Sequence, residues 1–126
     1  MVTREDVESF LLRMEEAVED VGPAMWVLAD DAGPLVIHYS PPLLLLRAKV
    51  MAVPEETRCA DLFRTLLELN ATDLVHGAYG IEGADVILSD TLELEHLEFN
   101  TFQAAVDSIQ ISLASHLERL APFREC

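Results

Sequence analysis

The run "LLLLRAKVMAV", Leu43 to Val53, constrains the chain more than any other stretch. Pro41 and Pro42 precede it and Pro54 follows, so it is bounded by residues that neither donate to a ladder nor continue a helix. Its even positions, Leu44, Leu46, Ala48, Val50 and Ala52, are all apolar. Alternate residues of a strand share a face, so this face is expected to be core. The odd positions mix Leu43, Leu45 and Met51 with Arg47 and Lys49. A strand with one solvated side alternates cleanly between apolar and polar, and this one does not. Either a second layer of the same chain covers the odd face, or another molecule does. Apolar patches left exposed mark interaction sites, which makes Leu43, Leu45, Met51 and Arg47 the candidate partner or dimer surface.

The remaining segments are cut out by Pro and Gly. Thr3 is a candidate N-cap with Asp6 three residues later, where Glu or Gln is usual. Val7, Phe10, Leu11, Met14, Ala17, Val18 and Val21 then recur at helical spacing, predicting a first helix that runs to Gly22-Pro23. "AMWVLA" and "LVIHYS" flank the turn-rich "DDAGP" and read as a hairpin, with Trp26 a core or interface anchor. A second helix is expected from about Thr57, with Cys59, Leu62, Phe63, Leu66, Leu67 and Leu69 as its stripe. Asn70 suits its end, because Asn tolerates the left-handed conformation.

"VHGAYGI" and "ADVILSDTLEL" form a second hairpin across Glu82-Gly83. Val86, Leu88, Leu92 and Leu94 alternate onto one face, with Asp90 the exception. The last helix is predicted from Asn100 and Gln103, through Phe102, Val106, Ile109, Leu113, Leu117 and Leu120, to Pro122. Ala104, Ala105, Ile111 and Ala114 widen its apolar surface, so cover on two sides is expected. The order is α-β-β-β-α-β-β-α. It predicts an α+β fold, an antiparallel sheet with helices packed on it, in one domain spanning 1–126.

Charge narrows the partners. Twenty-three acids against eight bases leave a net charge of −15. Such a field repels phosphate backbones and anionic lipid surfaces, so neither nucleic acid nor membrane is an expected partner. The acids either keep an apolar protein dissolved or attract a basic or poorly folded protein. No basic start leads into an apolar run, and "PPLLLL" is far short of a membrane span, so a cytoplasmic location is expected. Cys59 and Cys126 are too few for a disulfide framework; Cys126 is free to cross-link two chains or is a spectator thiol.

Motifs of catalysis are missing. His38, His76, His96 and His116 are scattered, with no ligand spacing and third donor. "ELEHLE", Glu93 to Glu98, reads as a solvated acidic loop around His96. There is no phosphate-binding glycine loop, no GxSxG, and no motif partner for Cys59. The expectation is a non-enzymatic chain with no cofactor and no metal; a small metal- or thiol-dependent enzyme is the remote alternative.

"LLELN", a short polar break, a Gly-containing strand, a Gly turn, "VILSDTLELEHLEFNTFQAAV" and a terminal helix together resemble the YbjN-domain family. The pattern also resembles the class I type III secretion chaperones, the Tir-chaperone group, over nearly the whole chain including "AMWVLA". The resemblance implies a compact, commonly dimeric fold with no cofactor and no active site. For the chaperones it implies small acidic cytoplasmic homodimers that hold a segment of a secreted effector in extended form along apolar patches. For YbjN proteins it implies regulators of sensory transduction, here acting on a folded signalling partner.

Overall fold

The computed structural model of the chain describes residues 1–31, 33–55 and 60–124. Among them the order is α1 (Arg4–Arg13), β1 (Val18–Gly22), β2 (Met25–Leu28), β3 (Leu35–Ser40) and β4 (Leu43–Ala52). Next come α2 (Asp61–Thr72), β5 (Ala78–Glu82), β6 (Asp85–Glu93) and α3 (Phe99–Arg124). The expected helix start at Thr57, the place of Cys59 and the fate of Cys126 lie outside the described residues.

α1 starts where Thr3 predicts. The Thr3 hydroxyl accepts from the Asp6 N–H at 3.2 Å, and the Asp6 carboxylate accepts from the Thr3 N–H at 2.9 Å. Asp therefore closes a capping box here although its side chain is shorter than that of the usual Glu. The helix does not reach Gly22-Pro23. It ends at Arg13, Glu15 turns left-handed at φ 58°, and Val18–Gly22 becomes the strand β1. Ala17, Val18 and Val21 sit at helical intervals, yet Val18 pairs with Leu28 across a ladder. The fold thus has four strands before α2 rather than three.

The sheet order is β1-β2-β3-β4-β6-β5, with every neighbouring pair antiparallel. Directly opposed residues share a face. Trp26, Ile37, Leu46 and Asp90 form one such row, and Leu28 with Leu35 another. Burial alternates accordingly: Trp26, Leu28, Leu35, Ile37, Leu44, Leu46, Val86 and Leu88 are buried on the side the helices cover. Their partners include Val7 and Leu11 of α1, Leu62, Leu66 and Leu69 of α2, and Phe102, Val106, Ile109 and Leu120 of α3, all in one apolar cluster. Each large side chain removed from water there contributes about 1.5–3 kcal/mol before ordering costs. Trp26 is in this core.

A register shift between Lys49 and Met51 corrects the reading of β4. An extra residue in one strand of an antiparallel pair reverses the facing of every residue beyond it. Leu44, Leu46 and Ala48 point to the core as predicted, but Met51 then takes the core side, Val50 is half-buried and Ala52 is exposed. α3 is about 39 Å long. It buries Ala105 and Leu113 but leaves Ile111 65% exposed, so its cover is one stripe rather than the two sides expected.

Candidate protein-binding surfaces

The face of the sheet turned away from the core carries Met25, Val27, Val36, Leu43, Leu45 and Ile87 among polar neighbours. Leu45 lies between His38 and Thr91, and Leu43 between Ser40 and Glu93, both half-buried. Arg47 shares this face, and pairs with Glu82 at 2.7 Å; Lys49 pairs with Asp85 at 3.3 Å. These exposed pairs tie β4 to the β5–β6 hairpin and stabilise it weakly. The structure therefore brings Leu43, Leu45 and Arg47 together and does not bring Met51 to them. The β4 bulge carries Met51 through the sheet, and it is 7% exposed in the core.

A second surface lies between α2 and β5, where Phe63, Leu67 and Ile81 stand exposed around a groove of about 240 Å³. Sequence periodicity placed Phe63 and Leu67 in the buried stripe, because spacing alone does not say how wide the covered arc is. Beneath them the chain is pinned by polar contacts. Asn70, inside α2 rather than at its end, bonds the backbone of Tyr79 in both directions. The Tyr79 hydroxyl meets His116 Nδ1 at 2.7 Å, and His116 Nε2 lies 3.5 Å from Asp73. Burial pushes the Tyr79 phenol up to about 12; Arg124 opposes this and Asp73 adds to it.

A third surface is a groove of about 580 Å³ between α1 and the β1–β2 hairpin. Leu11, Leu12, Val18 and Trp26 form its apolar part, and Leu12 is 80% exposed. Glu8, Glu15, Glu16 and Asp20 complete the lining. Arg4 reaches Glu8 at 2.9 Å and Asp20 at 3.6 Å, with its guanidinium 5.5 Å from the Trp26 ring centre. Glu16 accepts from the Gln110 amide through Oε1 at 3.0 Å, while its buried Oε2 has no hydrogen-bond partner among the described residues. The sequence signal for this groove was hidden by the prediction of one long helix through Val21.

The histidines do not converge. His96 is exposed with φ 60°, beside Glu95 at 3.7 Å in the acidic loop, and His38 is on the open sheet face. Among the described residues no three His, Cys, Asp or Glu side chains are grouped to hold a metal ion. No helix among them is long and apolar enough to cross a membrane. Asp90 lies opposite Leu46 on the core side, accepting from the Thr91 N–H at 2.8 Å through Oδ1.

A six-stranded antiparallel sheet in this strand order, backed on one side by three helices, is the fold class of the secretion chaperones. The chain belongs to the CesT_Tir_1 family of type III secretion chaperones, whose profile matches residues 1–125. Its fold is similar to that of a chain in the ExoU-SpcU heterodimeric complex of the Pseudomonas aeruginosa type III secretion system. That likeness has a TM-score of 0.70 at 15% identity, covering 94% of this chain and 98% of that one. It is also similar to YbjN from E. coli, with a TM-score of 0.68 at 13% identity, covering 94% and 95%. A chain of the HopA1-SchA chaperone-effector complex matches with a TM-score of 0.57 at 15% identity, covering 94% and 89%. No curated protein sequence matches the chain.

Proposed function

We propose that this protein is a non-enzymatic, cytoplasmic chaperone or adaptor that holds a segment of a partner protein and works as a homodimer. The observation that carries the reading is the family match over residues 1–125, joined to a sheet face that keeps Leu43 and Leu45 beyond the cover of the helices. Leu43 and Leu45, with Arg47 beside them, receive the partner segment by strand-like or side-chain contact. The second copy docks on the α2–β5 surface, where Phe63, Leu67 and Ile81 are exposed. The net charge of −15 keeps such a surface soluble and favours basic or unfolded partners.

The test joins light scattering to capture of partners from the native lysate at low and high salt. The expected result is a dimer that retains one identified partner at high salt. Leu45→Asp is expected to lose that partner, and Leu67→Glu to yield a monomer, each with an unchanged helical circular dichroism signal. A wild-type monomer at micromolar concentration that retains nothing overturns the reading. The likeness to YbjN favours a second reading, a regulator that acts on a folded signalling partner. A captured partner that is folded and protease-resistant when free selects that second reading.

A further inference from the structure

We infer that His116 is a proton-operated latch: neutral, it locks β5 against α2 and α3, and on mild acidification it releases the Tyr79 hydroxyl and weakens the docking of a second copy on the α2–β5 surface. The inference rests on the reading of that surface as the dimer contact, and it adds how the contact is regulated.

His116 is 4% exposed on the inner side of α3, and its ring is met on both sides by groups from two other elements. Tyr79 of β5 brings its hydroxyl to Nδ1 at 2.7 Å, with the two ring centres 5.7 Å apart. Asp73, which closes α2, brings Oδ2 to 3.5 Å from Nε2. The Thr72 hydroxyl lies 2.9 Å from Oδ1 of the same carboxylate, which leaves Oδ2 for the ring. One imidazole thus joins three elements.

The partners dictate where the protons lie. An ionised carboxylate can only accept, so Nε2 carries the hydrogen that faces Asp73, and Nδ1 is the bare nitrogen. The Tyr79 hydroxyl therefore donates to it. Burial pushes that phenol up to about 12, so the donor keeps its proton throughout the range in which histidines titrate. The chain from Tyr79 through His116 to Asp73 is complete only while the ring is neutral.

A second ring proton has only Nδ1 to occupy, and there it replaces the acceptor with another donor. The hydroxyl must then turn away, and among the described residues it has no second acceptor. A buried donor left without a partner is destabilising, so the arrangement that takes up the proton is the one in which Tyr79 has moved off the ring. Asp73 pulls the other way, but its side chain is 47% exposed and water screens the attraction. Arg124, whose charge reaches the Tyr79 phenol, opposes a further positive charge nearby. Glu68 and Arg119 pair with each other at 3.6 Å across α2 and α3. The balance favours release.

The latch and the docking surface share one strand. Tyr79 is held to α2 by Asn70, and Ile81, two residues further, stands with Phe63 and Leu67 around the same groove. Freeing the Tyr79 side chain leaves β5 with the Asn70 bonds alone on that side, so the three apolar residues lose their fixed spacing. Net charge predicts the opposite trend. At −15, charging any of the four histidines lowers repulsion between copies and strengthens association. Weakening in acid is therefore the signature of the latch.

The test measures self-association of the full-length protein by sedimentation from about pH 7.5 to about 5.5 at constant ionic strength, the window in which histidine gains its proton. In the same samples, nuclear magnetic resonance follows the His116 ring and the protection of the Tyr79 and Ile81 amides against exchange. The variants are His116→Asn, which keeps an acceptor near the place of Nδ1 and cannot be charged, and His76→Gln and His96→Gln as controls. The dimer is expected to weaken about tenfold across the window, the size of one buried hydrogen bond lost. Amide protection should fall with the same midpoint as the His116 ring titration. His116→Asn should abolish both responses, and the two controls should keep them.

Association that strengthens in acid, or a response unchanged in His116→Asn, would overturn the latch. So would a His116 ring that stays neutral down to about pH 5.5, or one that titrates while the Tyr79 amide keeps its protection. Those wild-type readings decide the matter even where His116→Asn does not fold. A monomer at every pH removes the docking reading instead; the latch then stands if protection falls with the His116 titration and falls if it does not.

Discussion

The side-chain amide of Asn70 makes both hydrogen bonds that a neighbouring strand would make to Tyr79: Nδ2 donates to the Tyr79 carbonyl at 3.2 Å, and Oδ1 accepts from the Tyr79 N–H at 2.7 Å. β5 is an edge strand, and α2 closes it with one carboxamide. Each bond is part-buried, so losing both leaves a donor and an acceptor unsatisfied at about 1–3 kcal/mol. Asn70→Ala is expected to lower unfolding free energy by that amount in urea titrations. Asn70→Asp, which keeps the acceptor and loses the donor, should also destabilise, and a neutral effect of both would show that the amide contributes nothing.

Tyr79 and His116 predict an alkaline transition. The folded-state phenol titrates at about 12 rather than 10, chiefly because burial disfavours the phenolate. A raised pKa means that the contribution is complete below pH 10 and is lost as pH rises through about 12. Unfolding free energy measured across that window should fall for the wild type, and the fall should be shallower in Tyr79→Phe. An identical slope in both would remove Tyr79 as the cause.

The bulge in β4 is tested by paired truncations. Met51→Ala removes a core side chain and is expected to cost about 2–5 kcal/mol. Val50→Ala, at a half-buried position, should cost distinctly less by the same denaturation measurement. The reverse order would restore unbroken alternation along the strand.

Gly77 admits no side chain. Its φ is +79°, and an added Cβ would meet the Ser89 carbonyl oxygen at 2.7 Å, a backbone atom that cannot swing aside. Gly77→Ala is therefore expected to destabilise by more than about 1 kcal/mol. Gly83→Ala, where φ is +60° but nothing lies within 4 Å, should be milder. Thermal melts of the two variants make the comparison.

Thr3→Ala removes one arm of the capping box and should lower stability by about 0.5–2 kcal/mol. The Thr3 backbone and hydroxyl contacts hold the Asp6 carboxyl below its ordinary range. A depressed pKa contributes above the ordinary carboxylate value and is lost as pH falls through the folded one. Asp6→Asn should therefore flatten the acid limb of the stability profile below about pH 4, and an unchanged limb would assign acid sensitivity elsewhere.

Most of the fold was legible because burial imposes period two on Val86 and Leu88 and period 3.6 on Phe102, Val106 and Ile109. What escaped was local geometry without a spacing signature. Arg13 ends α1 with no Gly or Pro nearby, and Glu15 takes a left-handed turn that its residue type does not announce. The acidic β1 strand reads as helix because Ala17, Val18 and Val21 fall at helical intervals, and a strand left this exposed carries no period-two burial to contradict them. The Lys49–Met51 shift leaves the pattern apolar on both sides, so the side to which Met51 belongs is decided by pairing with β6. Of the predicted surface, Leu43 and Leu45 followed from alternation. The exposure of Leu12, Phe63 and Leu67 did not, since it depends on how far neighbouring elements reach across each helix.

The two flanks of the sheet are guarded by different means. On the β5 flank Asn70 occupies Tyr79, and a five-residue strand then offers too few free groups to template a newcomer. On the β1 flank the short bulged strand carries Glu19 and Asp20, so another molecule of the same chain approaching edge to edge brings carboxylate against carboxylate. Pairing of two copies through their sheet edges is thereby disfavoured, and neutralising those two acids is the change most apt to remove that protection.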